Sequence, residues 1–205
     1  MSKKDHWEQV YSTRLTERLG WYKPHLQTTL SWIEGLGLDA DAPIIDVGGG
    51  ASTLAEDLLH AGYRSITVLD ISEKALSSVK ARLGKEVERV TWLECDITSV
   101  ELPTDFYELW HDRAVFHFLT TPEQRRKYRA NLVRALKPGG NLIVSTFAPE
   151  APRKCSGLPV QRYNLKQLEN TLGAEFELRQ HHNELHITPG GVEQMYLYCH
   201  FRKTG

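Results

Sequence analysis

The sequence predicts an α/β domain built on a mostly parallel sheet with helices on both faces. Three observations predict it. Strand-like and helix-like runs alternate from Ala42 to Ala148, the first strand-like run ends in the glycine-rich stretch "IIDVGGGAST" (44–53), and the chain closes on two long strand-like runs joined by "TPGG". Alternation of this kind implies right-handed βαβ crossovers. Short apolar runs suit strands covered on both faces. A hairpin turn at "TPGG" makes the last two strands antiparallel, so one of them runs against the parallel set.

The elements follow in order. "HWEQVYSTRLTERL" carries Trp7, Val10, Tyr11 and Leu15 near helical spacing. After the break "GWYKPH", Pro24 suits a helix start, and Leu26, Leu30 and Ile33 share one face. "APIIDVG" is the first strand. The helix "STLAEDLLHAG" has Ser52 as its N-cap and Gly62 as its stop. "SITVLDIS" is the second strand, followed by a helix that Ser72 opens and Gly84 closes. "RVTWLECDI" and "FYELWHD" are the third and fourth strands. A helix from Thr121-Pro122 to Pro138-Gly139-Gly140 leads to the fifth, "NLIVSTFA". "RYNLKQLENTLG" is a last helix before the hairpin.

Composition narrows the function classes. The chain has 205 residues, 40% hydrophobic and 25% charged, which suits one domain with a real core. A net charge of -1 offers no overall basic field, so no nucleic-acid partner is expected. Cys95, Cys155 and Cys199 are odd in number and form no CxxC pair, which fits reduced thiols in the cytoplasm. No signal peptide and no membrane span is expected.

Parallel sheets bind ligands at the carboxyl ends of their strands. Here those ends carry Asp46 with Gly48, Gly49 and Gly50, then Asp70, then Asp96, then His111-Asp112-Arg113. A dinucleotide fingerprint needs GxGxxG around a pyrophosphate. Gly48 and Gly50 fit it, but the third position is Thr53, and Asp46 would face phosphates of like charge. A cationic, phosphate-free nucleoside such as S-adenosylmethionine reverses that sign. Asp70 then accepts from ribose hydroxyls, which would serve NAD equally, and Asp96 accepts from the adenine amino group beside the Ile97 N–H.

"DVGGGAS", "VLDIS", "LECDI" and "LKPGGNLIVSTF", in that order, resemble the successive motifs of class I S-adenosylmethionine-dependent methyltransferases. The resemblance implies a Rossmann-like seven-stranded sheet of order 3-2-1-4-5-7-6 with strand 7 antiparallel. It implies a single such domain over 1–205, with 1–40 a helical leader covering the cofactor site. Ser52 stands where many members carry the last glycine of DxGxGxG. The leader "HWEQVYSTR…GWY" is similar to that of a branch containing elongation-factor lysine methyltransferases and bacterial relatives, which would place Tyr11, Trp21 and Tyr22 near the methionine end. Ile71, beside Asp70, and His111 join the cofactor set, and S-adenosylhomocysteine is the implied product. The same aromatic residues, with Trp7, equally suit the core of a helix pair.

On the acceptor side, "WHDRAVFHFL" offers Asp112 to orient or deprotonate a nucleophile, Arg113 to bind the cofactor carboxylate or an acidic substrate, and His111 and His117 as bases. Alternatively, Asp112 and Arg113 pair with each other. Cys155, Arg162 and Tyr163, in the loop after the fifth strand, are candidates to line the acceptor pocket. His181, His182 and His186 are too far apart along a strand for one zinc, so no metal is expected. The expected function is methyl transfer to a small-molecule nucleophile by a monomer or weak dimer. A protein lysine is the alternative acceptor. An NAD-dependent oxidoreductase and a non-catalytic module are the alternatives of another class.

Overall fold

The computed structural model describes residues 2–205. Its strands are β1 (Ile44–Val47), β2 (Ile66–Asp70), β3 (Val90–Glu94), β4 (Tyr107–Arg113), β5 (Leu136–Phe147), β6 (Lys154–Cys155), β7 (Leu158–Pro159), β8 (Phe176–Ile187) and β9 (Glu193–Lys203). Its helices are α1 (Lys3–Thr13), α2 (Gln27–Gly35), α3 (Leu54–His60), α4 (Glu73–Leu83), α5 (Pro122–Ala135) and α6 (Leu165–Leu172). Seven strands form one sheet in the order β3-β2-β1-β4-β5-β9-β8, and β6 and β7 form a separate small ribbon. With that ribbon set aside, the order is the expected 3-2-1-4-5-7-6. β9 is antiparallel to both β5 and β8, while β1, β2, β3, β4 and β5 pair in parallel.

The sheet divides the core. On one face α2, α3 and α4 pack Ile33, Leu54, Leu58, Leu76 and Val79 onto Ile44, Ile66, Val68 and Leu109. On the other, α5 and α6 pack Tyr128, Leu132, Leu168 and Leu172 onto Ile45, Trp110 and Leu142. Strand side chains alternate between faces, so β4 sends Leu109 to the first layer and Trp110 to the second.

Local chemistry sets most element ends. The Ser72 hydroxyl accepts from the Ala75 N–H at 3.2 Å, and Gly84 ends α4 at φ +55°. Capping boxes open α5 (Thr121 with Gln124) and α6 (Asn164 with Gln167). The turn after β8 closes through the Gly191 N–H on the Thr188 carbonyl at 2.8 Å.

Four boundaries differ from the sequence expectation. α1 ends at Thr13 because the Ser12 and Thr13 hydroxyls bond back to the Glu8 and Gln9 carbonyls, which competes with helix propagation. Leu15 therefore leaves the apolar face and is 72% exposed. α2 starts at Gln27, past Pro24. Thr53, not Ser52, is the N-cap residue of α3, although the Ser52 hydroxyl accepts from the Leu54 N–H at 3.1 Å. β5 begins at Leu136, directly after α5. A register shift between the Tyr107–Leu136 and Leu109–Asn141 pairs absorbs "KPGG".

A buried polar chain ties β4 to α5. The Trp110 indole donates to the Tyr128 hydroxyl at 2.9 Å, which donates to Asp112 Oδ2 at 2.7 Å. Tyr128→Phe strands the indole N–H and a carboxylate oxygen, and costs about 2 kcal/mol. Urea denaturation reads this as a lower midpoint, and an unchanged midpoint would show the chain to be dispensable.

Candidate active site

The site opens at the carboxyl ends of β1, β2, β3 and β4, where α1 lies across the sheet rim. It is a cleft of about 1010 Å³. The chain turns sharply after β1. Gly48 has φ +67°, and a Cβ there would overlap the Val115 side chain. At Gly49 a Cβ would lie 2.7 Å from Asp46 Oδ2 and from Val68 Cγ1. Glycine is thus required for the loop to pass between β1 and the segment after β4.

Asp46 is buried, and its Oδ1 meets His111 Nδ1 at 2.7 Å. His111 Nε2 lies 3.3 Å from the Thr29 hydroxyl of α2. The network assigns the tautomer in which Nδ1–H donates to Asp46 and Nε2 accepts from Thr29. Both ring nitrogens are therefore occupied. His111 orients Asp46 and has no free lone pair for work as a base.

Asp70 ends β2 with its carboxylate turned back to backbone. Oδ1 accepts from the Ser72 N–H at 2.9 Å. Burial pushes its pKa up to about 7, the N–H groups of Ser72, Gly50 and Ile71 pull it down, and Asp46 nearby raises it further. Asp96 accepts at Oδ1 from the Thr98 N–H at 2.8 Å and from the Thr98 hydroxyl at 2.7 Å. Leu69, Ile71, Ile97, Val115 and Leu119 supply apolar walls between these acids.

The leader closes the other side. Trp7 packs edge-on to Trp21 at 5.6 Å and to Phe118 at 5.1 Å, and Tyr11 packs edge-on to Trp21 at 5.9 Å. At the rim Glu8 accepts from the Glu73 N–H of α4 at 2.7 Å, and Lys4 pairs with Glu94 at 2.5 Å.

The expected site residues divide. Asp46, Gly48, Gly49, Ser52, Asp70, Ile71, Asp96, Ile97, His111, Tyr11, Trp21, Arg113 and Cys155 line the cleft. Gly50 lies beneath Tyr11, with a would-be Cβ 2.6 Å from the hydroxyl. Tyr22 packs instead against the Val10–Leu19–Ala51 cluster.

Asp112 is corrected from a candidate base to a core residue. It points to the opposite face from His111 and Arg113, fully buried, and accepts from the Val115 and Phe116 N–H groups at 2.9 and 3.3 Å. Burial raises its pKa to about 6, against those donors and Tyr128. It makes no pair with Arg113. His117 is likewise core. Its Nδ1 accepts from the Phe147 N–H at 3.2 Å, and burial, then Arg113, lowers its pKa to about 3.

Arg162 holds its own loop through the Pro149 and Ala151 carbonyls, and Tyr163 packs 5.5 Å from Phe116 in the core. Neither reaches the cleft. Residues missed from sequence are Lys3, Leu26, Ala114, Val115, Phe118 and Leu119 in the walls, together with Tyr196 and Tyr198 beside Arg113. The two tyrosines alternate on β9, a period-2 signal of one shared face. Among the described residues, no group of three or more His, Cys, Asp or Glu could hold a metal ion, and no helix is long and apolar enough to cross a membrane.

Residues 44–140 match the family model "Methyltransferase domain". With the sheet order, this match makes the chain similar to class I S-adenosylmethionine-dependent methyltransferases. It is similar to the eEF1A lysine and N-terminal methyltransferase of Bos taurus, 26% identical over 70% of this chain and 21% of that protein. It is similar to the malonyl-[acyl-carrier protein] O-methyltransferase of Paenibacillus sp. (strain JDR-2), 29% identical over 55% of this chain and 41% of that one. The chain thus spans about a fifth and two fifths of these relatives. The fold superposes with a TM-score of 0.67 on the Burkholderia thailandensis 1,6-didemethyltoxoflavin-N1-methyltransferase, which was solved with 1,6-didemethyltoxoflavin and S-adenosylhomocysteine bound. That pair is 22% identical and covers 96% of this chain and 81% of the other.

The donor set in this methyltransferase domain fits the family's cofactor. Acids at three strand ends offer acceptors for an amino group, a ribose diol and an adenine amine.

If Asp70 is the ribose acceptor, hydroxyls donating to it would favour its ionised form. Affinity for S-adenosylhomocysteine therefore rises with pH up to about 7 and then levels. Calorimetry at about pH 6 should give roughly tenfold weaker binding than at about pH 8. Asp70→Asn should flatten this slope and Asp70→Ala should weaken binding roughly tenfold or more. A wild-type affinity independent of pH would refute the assignment.

Proposed function

We propose that the chain transfers a methyl group from S-adenosylmethionine to a small-molecule nucleophile. The cofactor, when bound, supplies an electrophilic methyl on a sulfonium centre. Asp46, oriented by His111, holds the cationic amino end, Asp70 the ribose, and Asp96 the adenine amine with the Ile97 N–H. Trp7, Tyr11, Trp21 and Phe118 exclude water from the space beside β4.

The observation that carries the small-molecule reading is Arg113. It is a half-buried cation in the wall of the cleft, with no ion-pair partner among the described residues. An anionic small molecule brought to about 6 Å from it gains roughly 3 kcal/mol of attraction at an effective dielectric constant of about 20, which a lysine side chain does not. The aromatic wall from α1 further narrows the approach of a protein side chain. Methyl transfer to a protein lysine is the second reading, favoured by the names of the eEF1A relatives.

No free base of suitable pKa faces the acceptor space. His111 is occupied, Asp112 and His117 face elsewhere, and burial pushes the Cys155 thiol up to about 11. The chain therefore contributes alignment, and the acceptor arrives with its own lone pair available.

Incubating the purified protein with methyl-labelled S-adenosylmethionine and a cell lysate tests the reading. Label is expected in the small-molecule fraction. Label confined to protein bands would overturn the small-molecule acceptor, and label in neither fraction would refute the activity. With the acceptor in hand, the pH–rate profile should follow the pKa of the acceptor itself together with that of Asp70.

A further inference from the structure

Arg113 carries more donor capacity than the protein uses. Nε donates to the Tyr198 hydroxyl at 2.9 Å and Nη1 to the Trp21 carbonyl at 2.8 Å. The guanidinium carbon sits 4.8 Å from the centroid of the Tyr196 ring, a cation–π contact. Nη2 is buried without a partner, and so is the Tyr196 hydroxyl.

All the contacting groups are neutral. Glu184 on β8 is the one acid whose field reaches Arg113, and it is already held by Lys23 and by the Thr28 hydroxyl at 2.5 Å. Asp112, the neighbour in sequence, lies on the other face of the sheet. The rings of His117 and His186 are both shifted toward their neutral forms, chiefly by burial. The Cys155 thiol carries no charge near neutral pH. The pocket around Arg113 therefore holds a net positive charge and two unused donors. The surroundings hold the guanidinium in its charged form, yet Nη2 and the Tyr196 hydroxyl remain donors without an acceptor, which an anion would supply.

The position of the guanidinium says whose anion it awaits. Tyr196 and Tyr198 pair with Phe147 and Ser145 of β5, so they sit on β9, three strands from β1. Arg113 itself stands on β4, beside β1, and its side chain reaches from there toward β9. The acids that fit the nucleoside lie at the ends of β1, β2 and β3, on the other side of β4. The methyl is delivered between the two, and Arg113 faces what receives it.

We propose that the methyl acceptor carries an anionic group, a carboxylate or a phosphate, that docks on Arg113 Nη2 and the Tyr196 hydroxyl and fixes the nucleophile before the methyl. Arg113 is then the specificity-determining residue of the acceptor site. This rests on the methyltransferase reading above. The contact leaves Nε and Nη1 on their present partners. A charge-assisted pair of this type is selective because a neutral isostere leaves the donors unfilled.

Benzoate, benzamide and benzamidine share one shape and differ in charge, and phenyl phosphate separates phosphate from carboxylate. Calorimetry of the wild-type protein saturated with S-adenosylhomocysteine should show benzoate or phenyl phosphate binding at least about tenfold tighter than benzamide, and benzamidine binding weakest. Arg113→Met should bring the preferred anion down to the benzamide level while S-adenosylhomocysteine stays within about twofold. Tyr196→Phe, which keeps the ring, should weaken that anion by about threefold to tenfold and covers the case of an unfolded Arg113→Met. Benzamide matching both anions, or benzamidine leading, overturns the proposal. So does a folded Arg113→Met that loses S-adenosylhomocysteine, which would place the guanidinium on the cofactor's carboxylate. A wild-type protein that binds no S-adenosylhomocysteine refutes the methyltransferase reading and this proposal with it.

Discussion

The buried contact between Asp46 and His111 is the hinge of the whole arrangement. It joins the two central strands at the point where the sheet reverses direction. Through Thr29 it also fixes α2, which anchors the leader segment. Asp46 Oδ2 lies against Gly49, so the same carboxylate sets how closely the glycine loop can pass. An acid buried in this place is costly without partners. The imidazole satisfies one oxygen, and the other lies against the glycine loop that borders the cleft.

From that centre the cleft acquires two unlike halves. The side toward β3 is acidic and apolar, with Asp70 and Asp96 spaced by Leu69, Ile71 and Ile97. The side toward β9 is aromatic and cationic, lined by Arg113 and Trp21 with Tyr196 and Tyr198 buried behind the guanidinium. β4 is the divide. Its two faces are used differently: His111 and Arg113 serve the cleft, while Trp110 and Asp112 join Tyr128 in a network that stiffens the strand from behind. A rigid strand beneath the reacting atoms is what catalysis by alignment requires.

The sheet and the strand-end acids were legible because apolar runs, caps and glycine turns are local signals. The phase of β4 was not. "LWHDR" is buried on both faces, so no polar–apolar contrast tells which side Asp112 takes. His117 looked like a titrating base, and only the three-dimensional packing of Phe118 and Phe147 against it shows why it stays neutral. The partnership of Arg113 with Tyr196 and Tyr198 spans over eighty residues and depends on β9 inserting beside β5, which no local pattern reveals. Leu15 misled because an apolar residue at helical spacing says nothing about the hydroxyls before it that end the helix.

The docking of α1 has a consequence for the life of the protein. Its polar residues bind the rim through Glu8 and Lys4, but Lys3, Trp7 and Tyr11 face the cleft itself. A bound ligand therefore completes the surface on which the leader rests, and an empty cleft leaves it held by the rim contacts and the aromatic cluster alone. Local unfolding of such a segment is governed by how much of its surface is covered. Susceptibility of residues 3–22 to proteolysis thus reports how much of that surface is covered.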